Sequence, residues 1–138
     1  MSGPVRGCAH IGILLADLEP AATLFRERLG LEVTGPQEEP ELGLAIMWVR
    51  AGNTMLELVA PTREDSRAAA AVARGEVGVH HVALEVEGLD ELLGALGNAG
   101  VGLRDVVPRQ GAHGSRVAFL DPAASGGALI ELVEPAHD

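Results

Sequence analysis

Short apolar runs with a period of two alternate along this chain with longer stretches of helical spacing, and the order repeats. "HIGILL" (10–15) and "HVALEV" (81–86) have strand length and are β-branched-rich or alternate apolar with polar positions. "DLEPAATLFRERLG" follows the first and "LDELLGALGNAG" the second, both with an amphipathic helical pattern. Asp17 is a candidate cap for the first helix, Pro20 suits its first turn and Gly30 closes it; Gly100 closes the second. Three more strands are predicted after each helix, so each half reads as βαβββ. The alanine-rich "TREDSRAAAAVARGEVG" between them predicts a connecting helix.

The halves are similar in residues as well as in pattern. At an offset of 71, His10 falls on His81, Ile11 on Val82 and Leu18 on Leu89, and "LAIMWV" lies over "SRVAFL". The next loop is three residues longer in the second half, after which "LELVAP" meets "IELVEP" and Glu57 falls on Glu131. The expected organisation is a single α+β domain over 1–138. Module one covers about 8–61, a linker helix about 62–76 and module two about 77–135.

Strand parity then separates two faces. His10 shares a face with Gly12 and Leu14, opposite Ile11, Ile13 and Leu15, which should meet the helix. His81 likewise stands apart from Val82, Leu84 and Val86. Glu57 and Glu131 are flanked by apolar neighbours that belong to the helix side, so both carboxylates point the other way. His80 has the parity of Val82 and is expected on the helix side in a structural role. If the modules pair with pseudo-twofold symmetry into a curved mixed sheet, two imidazoles and two carboxylates converge in one cavity. A carboxylate facing a sheet interior costs several kcal/mol unless compensated, about the penalty of buried charge, and a divalent ion compensates two. The donors suit Mn, Co, Ni, Fe or Zn. Met47 pairs with Ala118 and Trp48 with Phe119 under the repeat; parity alone leaves open which pair lines the cavity.

Composition narrows the partners. The 138 residues are 47% hydrophobic and 22% charged, enough apolar material for one core. A net charge of −10, ten arginines with no lysine, and 2% aromatics argue against a nucleic-acid surface. No run approaches the roughly 20 apolar residues of a membrane helix. "MSGPVRGCAH" has no signal-peptide character, and the single Cys8 has no partner for an internal disulfide, so a cytoplasmic location is expected.

The doubled plan with "HIGI", "LELVAP", "PTREDS", "GVHHVALEV" and "GAHGSRVAFLDP...GGALIELVEP" resembles the vicinal oxygen chelate superfamily (glyoxalase, bleomycin resistance, dioxygenase), and most of all its methylmalonyl-CoA epimerases. The resemblance runs from about Ala9 to Pro135. It implies that His10, Glu57, His81 and Glu131 hold one divalent ion, with Glu57 at a position where relatives carry glutamate or glutamine. It implies a metal-dependent epimerase of a 2-substituted malonyl-CoA such as methylmalonyl-CoA, acting by α-proton abstraction through a metal-stabilised enolate, with Glu131 as an acid/base group; Glu57, its equivalent in the repeat, is the candidate for the opposite face. It also implies a homodimer. His113, in the "GAHG" turn, is a candidate substrate contact, and Arg63, Arg67, Arg74 and Arg109 are the cations left for coenzyme A phosphates.

The chain departs from that pattern in places. An acidic residue of the third strand aligns with Ala45, and "FLHPK" reads Phe119, Leu120, Asp121, Pro122, Ala123. The helix after "PTREDS" carries Ala68, Ala69, Ala70 and Ala71 in place of larger residues and lysine. The lost cations favour a rival reading, a glyoxalase-like isomerase or lyase, or a tailoring enzyme of secondary metabolism, on another chelating substrate. A second rival is a non-catalytic drug-binding resistance protein, which needs no metal.

Overall fold

The computed structural model describes residues 3–137 and divides into two units, residues 10–80 and residues 81–137 together with 3–9. It is a mixed α+β fold in which each unit carries strands backed by helix.

β1 (Val5–Leu14) enters the first unit at His10 and is followed there by α1 (Glu19–Thr23), then β2 (Glu32–Glu39), β3 (Leu44–Ala51), β4 (Thr54–Pro61) and α2 (Arg67–Ala73). From His10 onward β1 runs parallel to β4, and β3 lies antiparallel between β4 and β2. Burial alternates cleanly along β3: Ala45, Met47 and Val49 are buried, while Leu44, Ile46 and Trp48 on the other face are half-buried. The buried row meets Leu18 and Ala22 of the helix, with Leu58 and Ala60 from β4 and Ile13 and Leu15 beside them. Leu58 and Val49 are fully enclosed, and each contributes about 2 kcal/mol by leaving water.

Asp17 is not the helix cap. Leu18 occupies that position without a side-chain acceptor, and Asp17 instead accepts the Glu19 N–H at 3.2 Å, bracing the turn before the helix. Pro20 lies in the first turn, as expected. Past Thr23 the helix widens into a π-turn over Leu24–Arg28, which ends at Gly30 with φ of 69°. The linker helix is capped by Ser66, whose hydroxyl accepts the Ala69 N–H at 3.0 Å.

The sequence pattern did not disclose the bulge in β2. Between Thr34, opposite Trp48, and Gln37, opposite Ile46, β2 spends one residue more than β3. Gly35 is required there: its φ is 100°, and a Cβ would come within 2.8 Å of the Ile46 carbonyl oxygen. The extra residue shifts the parity, so that Gln37 and Glu39, rather than Glu38, share the face of Ile46 and Trp48.

β5 (Gly78–Val86) enters the second unit at His81 and leads there to α3 (Leu89–Asn98), β6 (Arg109–Gln110), β7 (Arg116–Phe119) and β8 (Ile130–Glu134). β5 is parallel to β8, and β7 lies antiparallel between β8 and β6. Leu89 and Leu93 pack on Val86, Ala118 and Leu132. The strand expected before "GAHG" shrinks to two residues because Pro108, immediately before it, has no N–H to give a ladder. Gly88 cannot cap α3 with a side chain; Glu134 does so from β8, accepting the Leu89 N–H at 2.9 Å while Arg116 pairs with it at 3.0 Å. Those two partners hold the Glu134 carboxyl below its ordinary range, the Leu89 N–H most of all.

His80 does not join the helix side. It is exposed, because the ladder between β5 and β8 begins only at Val82. Cys8 is exposed and carries a thiol, not a disulfide. No helix among the described residues is long and apolar enough to cross a membrane.

Candidate metal centre

Each unit brings a histidine and a glutamate together on the face turned from its helix. In the first, Glu57 sits on β4 between Gly12 of β1 and Trp48 of β3. Gly12 has no side chain to crowd it, which leaves the carboxylate beside His10, with Glu57 Oε1 3.7 Å from His10 Nε2. The Trp48 ring meets the imidazole edge-on, centroids 5.4 Å apart at 85°.

The second unit reproduces the arrangement. Glu131 lies on β8 between Ala83 of β5 and Phe119 of β7. His81 Nε2 is 3.5 Å from Glu131 Oε1, and the His81 ring meets Phe119 edge-on at 5.6 Å and 80°. His81 and Glu131 are buried, whereas His10 and Glu57 are half-buried. Met47 and Ala118 face the helices, so Trp48 and Phe119 are the pair on the His/Glu faces.

The donor chemistry fits a divalent ion. Two ligand atoms that each lie about 2.0–2.2 Å from one ion are separated by about 3–3.6 Å, and both His–Glu distances are close to that and longer than a direct hydrogen bond. Imidazole nitrogen and carboxylate oxygen suit zinc and the neighbouring first-row metals.

The remaining candidates are placed differently. Arg63 pairs with Asp65 at 3.0 Å and donates to the Pro40 carbonyl, and Arg67 is exposed at the start of α2. Arg74 pairs with Glu76 at 2.6 Å. His113 is exposed at the tip of the turn between β6 and β7 with φ of 58°, a left-handed conformation uncommon outside glycine. Arg109 lies over the Phe119 ring, on the His81/Glu131 face. Glu39 is the residue that strand parity misses. It is half-buried, accepts a 3.1 Å hydrogen bond from Gln37, and shares the face of Trp48 and Glu57. Only the bulge puts it there, and the Gly35-Pro36 pair is its one signal in the sequence.

Several known proteins are similar to this chain in sequence and fold. A family described as "Glyoxalase/Bleomycin resistance protein/Dioxygenase superfamily" matches residues 9–119. The ethylmalonyl-CoA/methylmalonyl-CoA epimerase of Cereibacter sphaeroides is 38% identical over 125 residues, 89% of this chain and 93% of that protein. The crystal structure of methylmalonyl-CoA epimerase from Mycobacterium tuberculosis superposes with a TM-score of 0.87 at 31% identity, covering 99% of this chain and 93% of that one. A variant of the Streptomyces coelicolor methylmalonyl-CoA epimerase in complex with 2-nitronate-propionyl-CoA gives 0.83 at 33% identity, covering 96% of each. The chain belongs to the glyoxalase/bleomycin resistance protein/dioxygenase superfamily and, within it, to the family of the methylmalonyl-CoA epimerases.

Proposed function

We propose that this protein epimerises the α-carbon of a 2-substituted malonyl-CoA, methylmalonyl-CoA or a close homologue, with one divalent ion held by His10, Glu57, His81 and Glu131. The observation that carries this reading is the pair of His–Glu couples at repeat-equivalent positions, in a chain so similar to epimerases. His10, His81 and Glu131 offer two imidazole nitrogens and a carboxylate oxygen, a set suited to Co, Mn, Ni, Zn or Fe. When bound, such an ion supplies Lewis-acid stabilisation of negative charge on a thioester oxygen.

The chain's own residues move the proton. An α-proton flanked by a thioester and a carboxylate leaves to the Glu131 carboxylate, and the C–H electron pair passes into the thioester carbonyl. A second carboxyl group, Glu57, returns a proton to the opposite face and inverts the centre. Phe119 and Trp48 wall the two couples with apolar surface, which excludes water and strengthens the electrostatics there. A second reading assigns the opposite-face role to Glu39, favoured by its half-buried place on the face of Glu57 and Trp48. The protein is assigned to the cytoplasm on the character of its sequence, and to a homodimer on the family resemblance.

The direct test is wash-in of deuterium at C2 of methylmalonyl-CoA in heavy water. Exchange that disappears on chelation and returns with added metal is expected; no exchange by the metal-loaded protein would overturn the epimerase reading.

A further inference from the structure

The acidic chain poses a problem for an anionic substrate, and several of its arginines are engaged with carboxylates. Arg6 pairs with Glu87, Arg63 with Asp65 and Arg74 with Glu76. Arg116, on the strand of Phe119, is turned to Asp90 and Glu134. Arg109 is placed otherwise. On β6 it stands opposite Val117, which shares a face with Phe119, Glu131 and Val133. Its guanidinium carbon lies 5.7 Å from the Phe119 ring centroid, and the same ring meets His81. His81, Phe119 and Arg109 therefore form one continuous line of contacts on the face that carries Glu131.

Asp105 fixes this arrangement from behind. Its carboxylate takes the Nε and Nη2 of Arg109 at 3.0 and 3.2 Å, and its Oδ2 also accepts the Phe119 N–H at 2.8 Å. One acidic side chain thus orients the cation and anchors the backbone of the ring beneath it. A guanidinium has five N–H donors in a planar fork, so an edge committed to Asp105 leaves Nη1 for a second anion. Because the fork is already held, little side-chain freedom is lost when that anion arrives.

We propose that Arg109, seated on Phe119 by Asp105, is a specificity-determining residue that binds an anionic oxygen of the thioester ligand. This rests on the epimerase reading for the ligand's class. The oxygen belongs either to the carboxylate of the acyl group or to a phosphate of the coenzyme A carrier; the recognition chemistry is the same.

The test is calorimetric titration of the metal-loaded full-length protein with methylmalonyl-CoA and with methylmalonyl-pantetheine, which lacks the phosphates. Arg109 is exposed at a strand edge, so Arg109→Met and Arg109→Lys are expected to fold. Arg109→Met should weaken methylmalonyl-CoA binding by about ten- to a hundredfold, and Arg109→Lys should recover part of it. A loss that persists with the pantetheine thioester assigns the contact to the carboxylate, and a loss confined to the coenzyme A thioester assigns it to phosphate. Both support the proposal. Equal affinities of wild type and Arg109→Met for methylmalonyl-CoA would overturn it. A wild type that binds the thioester yet exchanges no α-proton overturns the epimerase reading while the same titrations still decide Arg109. A wild type that binds neither thioester overturns both.

Discussion

Phe119 stands directly across the β7–β8 ladder from Glu131, and its ring meets the imidazole of His81 edge-on at 5.6 Å. Trp48 stands in the same relation to Glu57 and His10. Each couple of potential ligands is therefore backed by one aromatic ring, at positions related by the repeat. An aromatic wall keeps water from one side of the couple and limits the rotation of the histidine, which is how outer residues tune a metal site.

The metal assignment predicts stoichiometry. Elemental analysis of purified protein should find about one divalent ion per chain, lost in His10→Ala, His81→Ala and Glu131→Ala. Glu57→Gln keeps a ligating oxygen and should retain the ion. A wild type that turns over without metal would remove the site from the mechanism.

Proton transfer separates the three carboxylates. In a two-base epimerase, loss of one base leaves α-proton exchange from one epimer while inversion stops. Glu131→Gln should cut turnover about 10²–10⁴-fold, the usual contribution of a positioned acid or base. Glu57→Gln and Glu39→Gln are then compared by the deuterium content of each epimer. One-sided exchange in Glu57→Gln supports Glu57 as the second base; the same behaviour in Glu39→Gln alone transfers the role to Glu39.

Removing the ring tests what it does for the histidine. Phe119→Leu keeps an apolar side chain of lesser volume and should cost about 1 kcal/mol of stability in a denaturant titration. Metal affinity should fall by about tenfold or more, because the imidazole loses its edge contact. Unchanged affinity would make the ring packing only.

Glu134 links pH to the stability of α3. Its carboxyl titrates below the usual 4.5 because the Leu89 N–H, and then Arg116, favour the charged form. Since the folded-state value is the lower one, this stabilisation is complete above about 4.5 and disappears as pH falls through the folded value. Glu134→Gln should melt lower than wild type at neutral pH, by about 0.5–1 kcal/mol, and the gap should close in acid. A gap that is constant down to about pH 2, below the range in which carboxylates titrate, would show that charge plays no part.

The repeat itself determined a great deal. The offset between His10 and His81, and between Glu57 and Glu131, is visible in the chain, and strand parity alone separates these four from the helix-facing residues. Parity is local, needing only the two-residue period of a strand, so it survives without knowledge of distant contacts. Helix capping was not legible in the same way. Asp17 had the right chemistry but sits one position early, and α3 takes its cap from Glu134, forty-five residues away. Glu39 shows the same limit from the other side: a single bulge at Gly35 reverses the parity of every later residue in β2. Whether Met47 or Trp48 faced the glutamate depended on which row packed against Leu18 and Ala22, and only tertiary contact decides that. Arg109 was one cation among several in the sequence. Its place over Phe119 comes from the β6–β7 pairing and from Asp105, because a long flexible side chain has no preferred direction until a fold supplies its partners.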